Sequence, residues 1–194
     1  MADNQLKIID IGDPYATESF PIKDSFVALD TSAIIKIASP SKTISDFIKL
    51  LVINNNTLVI PFKAYEELRI LCDSEPEKKP IIVTYQTRDS EYVNASITAN
   101  GIIAKVEETG ILFEEIVDLN PITKINTIDQ LGGKIPMRWP DLSLVATVIE
   151  HGIPYIWSFD SDFGLVGGSG LTLITDSHIY TKITQNGISC TKIT

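Results

Sequence analysis

The sequence predicts an α/β fold, an open parallel sheet with helices on both faces in an α/β/α sandwich. Two observations carry that prediction. Short apolar runs, among them Phe26–Leu29 and Thr57–Ile60, have the unbroken character of strands buried on both sides. Between such runs lie stretches with apolar residues at helical spacing, and strands alternating with helices imply parallel pairing through right-handed crossovers. The length of 194 residues suits one domain with an elaboration, and 44% hydrophobic with 21% charged residues is an ordinary globular balance.

The elements follow in order. Residues 1–24 carry Pro14 and Pro21 without a sustained period, so they read as a surface lead-in packed against the domain. Phe26–Leu29 is the first strand and ends in Asp30. Ser41 or Thr43 can cap the next helix, where Ile44, Phe47, Ile48 and Leu51 form a core-facing stripe that Asn54–Asn56 stops. Thr57–Ile60 is a second strand, and Pro61 opens a helix to Cys72. Residues 73–80 form a charged loop. The stretch 89–109 reads as a weak helix, since Asn94, Asn100 and Gly101 lower its propensity, and Ile111–Val117 follows as a strand. Residues 118–138, with Pro121, Pro136 and Gly132-Gly133, read as a long connection that can cover a site. A helix over Pro140–His151 stops at Gly152, and the strand Pro154–Phe159 ends in Asp160. Leu171–Ile174 is a further strand, and the weakly alternating tail 177–194 can add an edge strand.

Composition excludes several classes of protein. Sixteen Lys and Arg against 25 Asp and Glu give a net charge of −9, so no broad basic surface tracks a phosphate backbone. Such a chain can still bind nucleic acid locally and can concentrate divalent cations. Cys72, Cys190, His151 and His178 lack the spacing of a zinc site. No run approaches the ~18 apolar residues of a membrane span. The polar start MADNQLK has no signal-peptide core, so a cytoplasmic protein without membrane contact is expected. The glycines at 164, 167, 168 and 170 lack the pattern of a phosphate-binding loop.

The acidic residues carry the chemistry. Ligands of open parallel sheets bind beyond the carboxyl ends of strands, where Asp30 and Asp160 both sit. From Asp141 the helix runs roughly 16 Å away from that edge. The following strand returns roughly 20 Å, so Asp141 finishes beside Asp160. A fourth acid comes from Glu66-Glu67, between which the helical wheel does not decide, and Asp162 is a fifth. Converging carboxylates repel and need cations or protons to coexist. Oxygen-only ligation suits hard ions, Mg²⁺ or Mn²⁺, which activate water for attack on phosphorus.

These residues resemble the PIN-domain family, the nuclease fold of VapC-type toxins and several RNA-processing enzymes. The matching pieces are Val27-Ala28-Leu29-Asp30-Thr31-Ser32, Glu67-Leu68, Pro140-Asp141 at a helix start, and Ser158-Phe159-Asp160-Ser161-Asp162-Phe163. The resemblance places Glu before an apolar residue, which selects Glu67 over Glu66. It implies a metal-dependent endoribonuclease cleaving single-stranded RNA. Asp30, Glu67, Asp141 and Asp160 are its catalytic and metal-binding residues, with Asp162 a further ligand and Ser32 and Ser158 in support. It places a PIN-like nuclease domain over 25–176, with a lead-in at 1–24 and a C-terminal extension at 177–194. The long separation of Glu67 from Asp141 marks an insertion at about 84–136, unlike compact toxin members. Partners compatible with the resemblance are RNA, an antitoxin or processing-complex protein, and a second copy of the chain.

Arg138 and Trp139, directly before Pro140-Asp141, can bind a phosphate and stack a base; a solvated Arg beside a packed Trp is the alternative. Two other readings stand beside the nuclease. A strand followed by Asp160-Ser161-Asp162 also resembles the metal motif of nucleotide-sugar glycosyltransferases, but leaves Asp30, Glu67 and Asp141 without a role. A PIN-like binding module with a vestigial site is the other, although vestigial acids have no physical reason to persist together.

Overall fold

The computed structural model describes residues 5–73, 82–86, 92–96, 99–109, 111–116, 121–131 and 135–194. The first half contains β1 (Leu6–Asp10), β2 (Phe26–Leu29), α1 (Thr31–Ala38), α2 (Lys42–Ile53), β3 (Thr57–Pro61), α3 (Phe62–Asp73), β4 (Ile82–Gln86) and β5 (Tyr92–Ser96). The second half contains α4 (Ala99–Glu107), β6 (Leu112–Ile116), α5 (Pro121–Leu131), α6 (Trp139–Glu150), β7 (Tyr155–Trp157), β8 (Thr172–Thr175), α7 (Ser177–Gln185) and β9 (Cys190–Lys192). A 3₁₀ segment, Ser161–Ser169, joins β7 to β8.

Seven strands form one sheet in the order β6-β3-β2-β7-β8-β1-β9, and every neighbouring pair is parallel. β4 and β5 pair separately as an antiparallel hairpin. From β2 the chain moves to β3 and β6 on one side; from β7 it moves to β8 on the other. Right-handed crossovers in opposite directions place their connections on opposite faces. The reversal leaves a crevice at the carboxyl ends of β2 and β7, where open α/β sheets bind their ligands. Leu29 registers with Trp157 there, so Asp30 and Ser158 leave the two strands side by side.

The predicted stripes form the core. Ile44, Phe47, Ile48 and Leu51 of α2 are buried, and Ser41 is the cap, accepting the Ile44 N–H at 3.3 Å. Phe47 packs edge-on against Trp157 at a ring-centroid distance of 5.2 Å, and Phe159 packs tilted against the same indole at 6.2 Å. Aromatic pairs of this kind add to simple burial.

Several elements differ from the sequence expectation. Residues 6–10, read as part of a lead-in, form β1 inside the sheet between β8 and β9, with Leu6, Ile8 and Ile9 fully buried. Lys7 and Asp10 interrupt the apolar run and masked it. Helix α1 is an added element, capped by Asp30, whose side chain accepts the Ala33 N–H. Pro61 closes β3, and the helix begins one residue later. Within 89–109, a strand over Tyr92–Ser96 precedes a shorter helix, and the connection 118–138 contains helix α5. The tail adds the expected edge strand, β9, but first forms α7. Asp176 caps that helix, and Ile179 and Ile183 bury its inner face at i, i+4. Its exposed Ser, Thr and Lys positions gave the tail its apparent alternation.

One ionic clamp closes the tail over the sheet. Asp10, wholly buried at the end of β1, accepts hydrogen bonds from Lys192 Nζ at 2.8 Å, Ser177 Oγ at 2.6 Å and the Gly12 N–H at 2.9 Å. Lys192 also reaches Asp13 at 3.1 Å. Burial alone raises Asp10, and the Lys192, Ser177 and Gly12 hydrogen bonds outweigh it, leaving the carboxyl below its ordinary value.

Candidate active site

Asp30 follows β2 directly and serves two purposes. Its Oδ1 caps α1, accepting the Ala33 N–H at 2.8 Å and the Ser32 hydroxyl at 2.7 Å. Its Oδ2 accepts the Ser158 hydroxyl at 2.6 Å, across the β2–β7 crevice. A carboxylate has roughly four acceptor positions. Three are taken, and the one left is on Oδ2. Burial pushes the Asp30 carboxyl up to about 6, against the three hydrogen bonds, and the charge of Asp160 pushes the same way.

The strand-end loops tie the neighbouring groups to Asp30. Ser158 Oγ accepts the Asp160 N–H at 2.9 Å, and Ser32 Oγ accepts the Phe159 N–H at 2.8 Å. Asp160 in turn accepts the Asp162 N–H at 2.9 Å. Glu67 enters from α3, held by the Thr31 hydroxyl at 2.6 Å. The sequence alone does not mark Thr31 as a site residue; its place inside the Asp30-Thr31-Ser32 motif is the signal for it. Glu66 points to Lys63 instead, at 3.1 Å, so the geometry decides between the two glutamates.

Asp30, Glu67, Asp141 and Asp160 line one cleft of about 200 Å³, together with Thr31, Ser32 and apolar walls from Ile35, Leu71, Leu144 and Phe163. Asp141 stands in the first turn of α6. Its carboxyl is raised by burial and then by the charges of Asp160, Glu67 and Asp162, with Arg138 opposing. Asp141 thus feels Glu67 and Asp160, and Asp30 feels Asp160. The remaining expected residues stand around the cleft and do not line it. Ser158 is buried beneath it, Asp162 is exposed beside Asp160, and Arg138 is exposed at the cap of α6. Trp139 is 58% exposed, which excludes the packed reading of that side chain.

The donor set fits a hard divalent cation. Every polar group on the cleft is an oxygen donor, and mutually repelling carboxylates gain from a shared positive charge. Among the described residues, no three Asp, Glu, His or Cys side chains close into a ready-made cage.

An α/β protein with an acidic cleft at the reversal point of a parallel sheet is the class that fold and site define. The PIN domain family model matches residues 27–168, and the chain belongs to that family, whose members are generally nucleases and typically use divalent metals. A chain in the crystal structure of VapBC2 from Rickettsia felis bound to a DNA fragment from their promoter is similar in fold. The TM-score is 0.51 at 15% identity, covering 77% of this chain and 98% of that one. No curated protein matches the chain. Among the described residues, no helix is long and apolar enough to cross a membrane.

Proposed function

We propose that this chain is a metal-dependent endoribonuclease that hydrolyses phosphodiesters of single-stranded RNA. The observation that carries this reading is the convergence of four carboxylates, from the ends of β2 and β7 and from α3 and α6, on one cleft. Asp30, Glu67, Asp141 and Asp160 would hold Mg²⁺ or Mn²⁺, with Asp162 as a further carboxylate. Such a cation, when bound, activates water and neutralises charge on the phosphate.

The chain supplies the positioning. Ser32, Ser158 and the Ala33 N–H fix both oxygens of Asp30, leaving one lone pair on Oδ2 for a cation. Thr31 sets the rotamer of Glu67 from the opposite wall. Ser158 joins Asp30 to Asp160 by donating to one and accepting from the backbone of the other. Such partners of ligand groups orient them and tune their basicity. Arg138, close enough to lower Asp141, offers a guanidinium to a phosphate at the cleft mouth. No side-chain nucleophile is required. Family analogy adds an antitoxin or processing-complex protein as the partner class of this proposal. The likeness to the Rickettsia felis complex, at 15% identity, supports the fold alone. A glycosyltransferase built on Asp160 and Asp162 leaves Asp30, Glu67 and Asp141 idle in the same cleft, so the nuclease is favoured.

Cleavage of single-stranded RNA should appear with Mg²⁺ or Mn²⁺ and vanish in excess EDTA. Undiminished cleavage in chelator excludes the reading, and turnover of a nucleotide-sugar without RNA cleavage replaces it. In the same assay Glu67→Gln should lose about 10²–10³-fold in rate, as for loss of one preorganised charged group. Glu66→Gln, which disturbs only a half-exposed pair with Lys63, should stay near wild type. The reverse order would place the wrong glutamate in the cleft.

A further inference from the structure

Helix α1 begins in the acidic cleft and leaves it along a polar face. Ser32 lines the cleft; Lys36, at i+4, and Ser39, three residues on, share its side of the helix. Lys36 and Ser39 line a neighbouring cavity of about 380 Å³, with Ser41, Thr43 and Phe159. Phe159, which lines this second cavity, lies between Ser158 and Asp160 in the chain. Its N–H donates to Ser32 Oγ at 2.8 Å, and its ring lies 3.8 Å beneath Lys36 Nζ. A cation thus stands on the same edge of the sheet as the four carboxylates, over the ring of the residue between Ser158 and Asp160.

We propose that this cavity is a phosphate subsite, in which Lys36 holds a phosphodiester of the RNA strand next to the one positioned at the acids. The inference rests on the nuclease reading and extends it. A strand approaching a chain of net charge −9 meets repulsion at the cleft, and a local cation is what allows it to stay. The volume suits a nucleotide, and three hydroxyl-bearing residues line it. Lys36 is held ready: its other neighbour is Asp176, at 3.6 Å, with side chains 45% and 31% exposed. A pair so long and so exposed is weak, and a phosphate oxygen can displace it. Asp176 also lines the cavity and opposes an anion there; its Oδ1 is committed to the Ile179 N–H at the start of α7.

That opposition gives the test its signs. Binding of a short, fluorescein-labelled, uncleavable 2′-O-methyl RNA strand to the full chain is followed by anisotropy with Mg²⁺ present, beside cleavage of ordinary RNA. Lys36→Met keeps the stem on the Phe159 ring and removes the charge. It should raise Kd about tenfold, as for one charge-assisted contact. It should also reduce the slope of log K against log salt by about 0.7. Lys36→Arg should restore both. Asp176→Asn keeps the cap of α7 and should lower Kd. A structural role for the Lys36–Asp176 pair would weaken binding in both variants alike, which overturns the proposal. Unchanged affinity and slope in Lys36→Met, with wild-type binding and cleavage intact, overturns the subsite and leaves the nuclease standing. A wild-type chain that neither binds nor cleaves RNA overturns both.

Discussion

Replacing Asp30 with asparagine is expected to lower RNA cleavage by about 10²–10³-fold, as for loss of one preorganised electrostatic group. The same change should raise the melting temperature of the metal-free chain. Ser158 and Ser32 can rotate to serve an amide of the same shape, so packing is preserved. The gap between the ordinary 3.8 and about 6 for Asp30 amounts to roughly 3 kcal/mol held against the ionised folded state. Because the folded carboxyl binds its proton more tightly than the unfolded one, this term destabilises as pH rises from about 4 to 6 and is fully present above 6. Asp30→Asn removes it. Allowing for an imperfect amide fit, a gain of about 2–8 °C is expected at pH 7.5, falling to nothing near pH 4. Calorimetry at the two pH values, beside a cleavage assay, checks both halves. A variant that is inactive because it has unfolded would separate neither.

The second large effect lies away from the cleft. Lys192→Met should lower the melting temperature at pH 7 by roughly 4–16 °C. The wholly buried Asp10 then loses its counter-charge, at a cost of about 2–4 kcal/mol. Ser177 and Gly12 still hydrogen-bond Asp10, which keeps the cost toward the lower part of the range for broken buried pairs. In the wild type Asp10 lies below its ordinary value, so its contribution is present above about pH 4 and is lost as pH falls through the lower folded value. In the variant only the Ser177 and Gly12 hydrogen bonds oppose burial, so Asp10 lies higher than in the wild type. The difference between the two proteins should therefore shrink on acidification. Asp10→Asn combined with Lys192→Met should recover most of the loss, because an unpaired charge no longer remains. Melting curves of the three proteins decide it; equal stability of Lys192→Met and wild type at pH 7 would deny the clamp.

The half of the sheet that bears the acidic cleft was legible in the sequence because its signals are local. Val27-Ala28-Leu29 and Leu58-Val59-Ile60 are uninterrupted by polar residues, as strands covered on both faces must be. Each leads within a few residues to an acid-bearing turn or helix. Counting helix and strand lengths was enough to return Asp141 to the edge that holds Asp160, and both line the same cleft. The other half was less legible because its signals are tertiary. β1 contains Asp10, which reads as a solvent-facing residue until Lys192, 182 positions away, is seen against it. Helix α7 buries only Ile179 and Ile183, too few to mark a period in a Ser- and Thr-rich tail. Within the cleft, Glu67 could not be told from Glu66 by the wheel, since both sides of α3 carry apolar residues. The Thr31 hydroxyl, supplied by another helix, fixes the choice.

The most direct test of the central claim, that the four acids form one divalent-cation site, is the Mn²⁺-induced change in melting temperature of wild type and the Asp30→Asn/Asp160→Asn double variant. A cation that binds only the folded chain stabilises it by about 2.7 kcal/mol at a hundredfold excess over Kd, or roughly 5–10 °C for a domain of this size. The expected result is a shift of that size in wild type and almost none in the double variant, which should melt at or above wild type before Mn²⁺ is added. Equal shifts in the two proteins would place the binding elsewhere on the acidic surface and contradict the claim.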